Sequence, residues 1–332
     1  MPQPDSAAVL ALRNYRILMD ALDESTVNDL AARWLLIEVS LQKDMTILAQ
    51  EFERRRVAGE VVTEQMIYKS RHYQVLQSQV EKEILKYNKD YAIDAISAAQ
   101  ERAAMLGINA ATDSIYASYP SAISANFDKL NVKAVESLIG ISGDGKPLGN
   151  LLKKAVGESS DGIVQAMLAG IGKGDGALAI AKAMADGMGL GLDRSLLIAR
   201  TETNRAYRSA SVQQYRESGV VTGFMRLVKK DEACIGCLAL DGEIFELEAE
   251  FEDHPNGRCT CVPIVRGVDP PEWEKGTDWL ANQNEGKQRD ILGNARYEMY
   301  KNGTPLTDFV THSHSDVWGD APALVPISQL AK

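Results

Sequence analysis

All four cysteines of this 332-residue chain fall between positions 234 and 261. Cys234-Ile235-Gly236-Cys237 is a C-x2-C pair, and after 21 intervening residues Cys259-Thr260-Cys261 follows as C-x-C, with His254 just ahead of it. A tight turn helped by Gly236 directs the first two thiols toward one point, which suits tetrahedral Zn2+. The segment between the pairs is long enough for a β-hairpin that returns the second pair to the first. Five residues then compete for four positions. Cys234 and Cys237 lead, Cys259 is next, and His254 and Cys261 compete for the last. A structural metal site ranks ahead of free or redox-active thiols, with disulfides last. The reason is the compartment: the sequence opens without a cationic stretch leading into an apolar run, and in a reducing cytoplasm clustered cysteines serve as metal ligands more often than as disulfides.

Charge narrows the role of such a module. The chain has 46 acidic against 36 basic residues, so the molecule as a whole repels the phosphate backbone of nucleic acid, although a local basic patch could still bind it. Between Phe224 and Arg266 five basic residues face nine acidic ones, which argues against a zinc finger that reads DNA. A catalytic zinc would keep an open position flanked by a general acid or base, and no residue near the cluster stands out as one. Glu246, Glu248, Glu250 and Glu252 read as the solvated face of an alternating strand or an acidic loop. No run approaches the roughly 18 to 20 apolar residues of a membrane span.

The rest of the sequence predicts helices. From about Ser25 to about Tyr91, Trp34, Leu35, Val39, Leu41, Met45, Leu48 and Phe52 recur at helical spacing, with Ser25 or Thr26 as N-cap. Gly59 ends that helix. Thr63 caps the next, which carries Met66, Tyr73, Leu76, Val80, Ile84 and Tyr87, and an Ala-rich run from Ile93 to Leu106 extends it as far as Gly107. The result is a pair of long antiparallel helices whose stripes are packing faces. Short Ala- and Gly-rich helices follow, separated by Pro120, Gly140, the turn from Ser142 to Pro147, and Gly157. Gly170–Gly176 lacks the Gly-Lys-Ser/Thr ending of a phosphate loop and follows a helix, so it reads as a helix C-cap and a turn. Asp193 then caps a helix that runs to Ser218, where Gly219 stops it. Beyond it the period shifts to two: Val220–Val228, Ile244–Leu247 and Cys261–Val265 read as strands around turns at Asp241-Gly242 and Asn256-Gly257.

The expected architecture is therefore mainly α with a small β-rich, zinc-knuckle-like module (α+β) and a long N-terminal helical hairpin. It divides into a long-helix region at 1–110, a short-helix region at 111–190, a core with the cysteine cluster at 191–268, and a C-terminal helix and tail at 269–332.

One ordered set of motifs carries a resemblance. Ala199-Arg200-Thr201-Glu202-Thr203-Asn204-Arg205-Ala206 is followed by Gln214-Tyr215-Arg216-Glu217-Ser218-Gly219, by Asp231 with the Cys234/Cys237 pair, by Leu240-Asp241-Gly242, and by His254-Pro255-Asn256-Gly257-Arg258-Cys259. In this order they resemble the phage Mu F-like head morphogenesis family of minor head or minor capsid proteins, over roughly residues 160–300. Trp279-Leu280-Ala281-Asn282-Gln283 through Arg296-Tyr297 resembles the region after the knuckle in such proteins. One departure stands out: the family commonly reads His-Pro-Asn-Cys-Arg-Cys, whereas this chain has Gly257 at the first of those cysteines and an extra cysteine at 261. If the missing cysteine is a ligand in relatives, Cys261 or His254 replaces it, or the metal is lost.

The resemblance implies a structural component of a tailed-phage virion. It would lie in the capsid interior near the portal, pass through the host cytoplasm during assembly, and act in head morphogenesis and in DNA packaging or ejection. Its implied partners are the portal protein and the major capsid or scaffolding protein, with packaged DNA as a further contact and no membrane; its implied cofactor is a structural Zn2+. On the helix of the Arg200-Thr201-Glu202 signature, Arg200 and Asn204 lie one turn apart, as do Thr201 and Arg205. Glu202 and Arg205 are expected either to anchor this helix to the β module through charge-assisted bonds or to form a solvent-exposed pair. Two competing readings are enzymes, and a third is a cellular adaptor with a zinc-stabilised interaction module, which would bind a host protein instead of a portal. Of the enzymes, one is an ADP-ribosyltransferase-like effector, for which Glu246-Leu247-Glu248 supplies a formal E-x-E that so acidic a stretch produces by chance. The other is a zinc-dependent nucleic-acid hydrolase, using the knuckle or His312-Ser313-His314-Ser315-Asp316, a segment that reads first as a flexible tail or packing strand. No residue is read as catalytic.

Overall fold

Apolar residues three and four apart, with few helix breakers between them, make most of this chain helical. The computed structural model describes residues 6–118, 136–316 and 318–330. Among them, α1 (Ala7–Val57) is followed by α2 (Glu64–Lys69), α3 (Arg71–Tyr87), a π-helical turn (Asn88–Ala92) and α4 (Ile93–Ser118). After the undescribed stretch come α5 (Gly149–Leu152), α6 (Lys154–Lys173), α7 (Ala177–Met188) and α8 (Leu190–Ser218). Next are β1 (Val221–Leu227), α9 (Ile235–Leu240), β2 (Ile244–Glu246) and β3 (Thr260–Val265). The C-terminal part holds α10 (Gly276–Ala281), α11 (Glu285–Lys301), β4 (Val310–Ser315), β5 (Gly319–Leu324) and α12 (Ile327–Leu330).

The chain divides into two units that each draw on distant parts of the sequence. One comprises Asp23–Ala99 and Lys146–Arg200, the other Met1–Leu22, Gln100–Gly145 and Thr201–Lys332. In the first, α1 and α3 run antiparallel: Ser70 donates to Glu51 at 2.8 Å at one end and the Tyr87 hydroxyl to Leu30 O at 3.2 Å at the other. Trp34 meets Tyr87 edge-on at 5.3 Å between ring centroids. The buried stripe of α1 is Leu30, Trp34, Ile37, Leu41, Met45, Leu48 and Phe52. Leu35 and Val39, expected on that stripe, are exposed at 55% and 68%; Leu35 follows Trp34 directly and Val39 falls midway between Ile37 and Leu41, off the 3-4 repeat that the core follows.

Several expected boundaries move. α1 begins at Ala7 with Ser6 as its cap, its hydroxyl accepting from Val9 N at 3.3 Å, so Ser25 and Thr26 lie inside the helix. Thr63 precedes α2 without a side-chain bond, and Ser70 caps α3 by accepting from Tyr73 N. Gly107 does not end α4. There the helix backbone approaches α8 so closely that a Cβ on Gly107 would lie 2.2 Å from Tyr207 O, and Ser211 donates to Gly107 O across the same contact. Gly157 lies within α6, Asp193 lies in the first turn of α8, and Pro120 lies outside the described residues. Gly174 takes a left-handed conformation, φ 80°, as the C-cap of α6, so the glycine-rich segment is a helix end and a turn.

In the other unit, β1 is the centre of an antiparallel sheet of order β2-β1-β3. One face packs on the helices through Ala111, Ile115, Val212, Tyr215, Phe224, Cys261 and Val265. α9 buries Ile235, Leu238 and Ala239 against Leu280, Leu292, Tyr297 and Phe309. The segment expected as a tail or packing strand forms the antiparallel β4-β5 hairpin, in which Ser313 faces Ala321.

Candidate metal centre

The cysteine cluster is assembled at the ends of three elements. Cys234 is the extended N-cap residue of α9, with φ −72° and ψ 165°, and its sulfur accepts from Cys237 N at 3.4 Å. Cys237 is therefore one turn into a helix and buried, so the turn that aims the two thiols is the first turn of α9. Cys259 stands immediately before β3, also buried. His254 begins a turn in which Gly257 N donates to His254 O at 3.0 Å and Asn256 adopts φ 67°.

These elements bring Cys234, Cys237 and His254 together and place Cys259 against Cys237. His254 Nε2 lies 3.3 Å from the sulfurs of both Cys234 and Cys237, and Cys259 Sγ lies 3.3 Å from Cys237 Sγ. Ligand atoms about 2.1 to 2.3 Å from a tetrahedral ion stand roughly 3.5 to 3.8 Å apart, so these three contacts are near zinc-site spacing, while Cys259 lies outside the group that Cys234, Cys237 and His254 form. Two overlapping groups share Cys237, one with Cys234 and His254 and the other with Asp253 and Cys259, and within each group the ligand atoms lie within 4.8 Å of one another. His254 Nδ1 is 2.9 Å from Pro255 O. A proton on Nδ1 satisfies that carbonyl, so loss of the Nε2 proton on metal binding would leave the tautomer that a metal-ligating histidine uses. A cleft of about 310 Å³ opens onto these residues, lined by Val228, Lys229 and Arg258 among others. Cys261 is not brought in. Its side chain is fully buried in the core beside Tyr215, and burial pushes its thiol up to about 12.

Electrostatics in the cluster favour thiolates. The hydrogen bond from Cys237, aided against burial by His254, lowers the Cys234 thiol to about 4, and that bond with Cys234 raises His254 to about 9. Cys237, hydrogen-bonded to Cys234 and Cys259 and desolvated, is shifted far upward. Cys259 is shifted downward, first by its hydrogen bond with Cys237 and then, against burial, by Arg226.

Behind the thiols lies a group that the sequence did not reveal. Asp253, 1% exposed, stands between two buried guanidiniums, with Arg226 at 3.2 Å from Oδ1 and Arg208 at 3.1 Å from Oδ2. Oδ1 also accepts from His254 N at 3.0 Å. Arg226 donates to Glu252 O and lies 3.7 Å from Cys237 Sγ, Arg208 donates to Gly257 O, and both guanidiniums cover Phe251. Gly257 is required here by space: a Cβ would sit 2.1 Å from Asp253 Oδ2. The only hint in the sequence is Arg226 at an inward position of an otherwise apolar strand.

The signature helix contacts the rest of its unit differently from the expectation. Glu202, 1% exposed, accepts from Gly143 N at 3.3 Å and lies 3.8 Å from Arg205, and burial raises its pKa against these contacts. Arg205 donates to Trp318 O in the turn of the β4-β5 hairpin, and Asn204 accepts from Arg16 at 2.7 Å. Arg200 is half-buried. The contacts to the cluster come instead from Thr201, which accepts from Asn256 N, and from Arg208. Glu246 and Glu248 are exposed, as are His312 and His314, which pair with Glu252 and Asp320 at 2.6 Å.

A mainly helical protein carrying a small antiparallel sheet and a Cys/His cluster is the class that this architecture defines. Residues 161–264 match the family model described as Phage Mu protein F like protein, so the resemblance read from the motifs holds over the segment from α6 to β3. This is a family of phage head proteins. No curated protein and no solved structure matches the chain. Among the described residues no helix is long and apolar enough to cross a membrane.

Proposed function

We propose that this chain is a structural minor head protein of a tailed bacteriophage, associated with the portal and the capsid interior and acting in head morphogenesis and in DNA packaging or ejection. The observation that carries the reading is the match of residues 161–264 to the phage Mu F-like family, a segment that includes Arg200–Arg205 and the whole Cys/His cluster. Cys234, Cys237, Cys259 and His254 would hold a structural Zn2+, and their donor chemistry and tautomer fit that ion. Bound there, the ion would cross-link the start of α9, the 254–257 turn and the start of β3, fixing the loops that flank the sheet. The protein's own residues, not the ion, would present the surfaces for the portal and for capsid or scaffolding subunits. The overall negative charge limits indiscriminate adhesion to packaged DNA.

Co-expression of the full chain with the portal protein of the same phage, with metal content measured on the purified sample, tests the proposal. The expected result is a stoichiometric complex containing about one zinc per chain. A chain that never associates with portal or proheads, and instead nicks plasmid DNA with a divalent metal or transfers label from NAD, would overturn it in favour of an enzyme.

A further inference from the structure

The buried charges next to the cysteines do not cancel among themselves. Arg208 and Arg226 are 6% and 3% exposed, and the one carboxylate between them is that of Asp253. The trio therefore carries one net positive charge in a region shielded from water. A buried charge of this kind needs a counter-charge in contact with it. Glu252 and Gly257 offer Arg226 and Arg208 only carbonyl oxygens. The groups that Arg226 reaches besides Asp253 are the sulfurs of Cys237, at 3.7 Å, and of Cys259.

We propose that Arg226, oriented by Asp253 and backed by Arg208, is the positioning residue of the metal centre, setting its charge so that a divalent ion is held by three thiolates and one neutral imidazole. This inference rests on the zinc reading of the cluster given above. A dication with three thiolates and an imidazole carries one net negative charge, which the trio neutralises. Four thiolates would leave an excess negative charge, and a site with two thiolates an uncompensated positive one. The same geometry removes Asp253 from the ligand set, although it lies near Cys237 and Cys259. Each of its oxygens already faces a guanidinium, and Oδ1 holds the His254 amide as well. Asp253 thus acts on the ion through Arg226 and His254, not by coordination.

Arg226 also stands where a positioning residue must. It lies on the central strand β1, where its residue pairs with Cys261 in the β3 register, and its Nη1 fixes Glu252 O at 2.7 Å just ahead of the His254 turn. The guanidinium is therefore tied to both the sheet and the ligand loop. Burial would lower its pKa, but Cys259, Asp253 and Cys237 more than offset that and raise it.

The test is zinc affinity of the full chain, measured by competition with a chromophoric chelator, together with the absorption spectrum of the Co2+ form. Arg226→Met is expected to weaken zinc binding about 10- to 100-fold, the range seen when outer partners of metal ligands are removed, while the Co2+ spectrum keeps its thiolate bands. Arg226→Lys, which retains the charge, should restore most of the affinity. Asp253→Asn removes the charge that orients Arg226 and leaves the trio with a second positive charge, and is expected to weaken zinc binding while the Co2+ spectrum keeps its thiolate bands. A role in folding alone would leave Arg226→Lys binding zinc as weakly as Arg226→Met. Unchanged affinity in Arg226→Met, or a loss in Asp253→Asn accompanied by a changed Co2+ spectrum, would overturn the inference and, in the second case, make Asp253 a ligand. If Arg226→Met does not fold, Arg226→Lys, expected near wild-type affinity, and Asp253→Asn, expected weakened with unchanged thiolate bands, decide. A wild-type chain that takes up no zinc would sink the zinc reading itself, a result distinguishable from failure of the charge argument alone.

Discussion

Asp241 gives this protein an unusual pH dependence that can be worked out from its surroundings. Its side chain is fully buried at the end of α9, with Oδ1 accepting from Val228 N and Oδ2 from Trp273 Nε1, both at 2.9 Å, and Lys230 at 3.7 Å. Desolvation outweighs these contacts and raises its pKa from 3.8 to about 6. A carboxyl whose pKa is raised on folding binds its proton more tightly in the native state. Its contribution is thus favourable below pH 4 and is lost as pH rises through about 6. The rise is worth about 3 kcal/mol. Asp241→Asn removes the titration while adding a constant offset of about 1 kcal/mol for one mismatched hydrogen bond. Urea unfolding monitored by tryptophan fluorescence, at steps from pH 4 to pH 7, should show the wild type losing about 3 kcal/mol relative to the variant across that window. A wild-type-minus-variant difference that stays flat, or grows with pH, would refute the claim that burial dominates at this site.

Three further outcomes follow from the cluster. Gly257→Ala forces a Cβ to within 2.1 Å of Asp253 Oδ2 and should cost about 3 kcal/mol by separating that carboxylate from Arg208, seen as a lowered unfolding midpoint. Cys261→Ala should retain the wild-type zinc content and lose only about 1 to 2 kcal/mol through a small cavity, whereas Cys237→Ser should lose the metal; elemental analysis and thermal unfolding separate the two. Chelation with EDTA should lower the melting temperature of the wild type and leave that of Cys237→Ser unchanged, because only a chain that binds the ion in its folded state is stabilised by it.

The 3-4 spacing of Leu41, Met45, Leu48 and Phe52 specifies a helix by itself, because that periodicity puts its apolar groups on one face of one element only; the strand Val221–Leu227 is buried on both faces and is marked by its short apolar run rather than by strict alternation. Local capping chemistry is less decisive. Ser25 and Thr26, and later Asp193, have the composition of N-caps but lie inside α1 and α8, since a helix already propagating does not stop at a residue that merely tolerates a start. Gly107 carries the signature of a helix end and instead marks where two backbones meet.

The cysteine spacing determined that a site exists; it did not determine which sulfurs enter it. Cys259 and Cys261 differ by two residues, and the decision falls on where β3 begins. Thr260 opens the strand, so Cys259 is left in the turn beside Cys237, while Cys261 is carried into the core with Tyr215. His254 enters because the turn before Gly257 presents its Nε2 to the helix end. Arg208, Arg226 and Asp253 come from α8, β1 and a loop, and separations of 18 and 27 positions make their meeting invisible to any local pattern. Periodicity and residue type thus fixed the elements and the chemistry available, because both act within a few residues. The ligand set and its balancing charges depend on contacts that exist only once the sheet is packed on its helices.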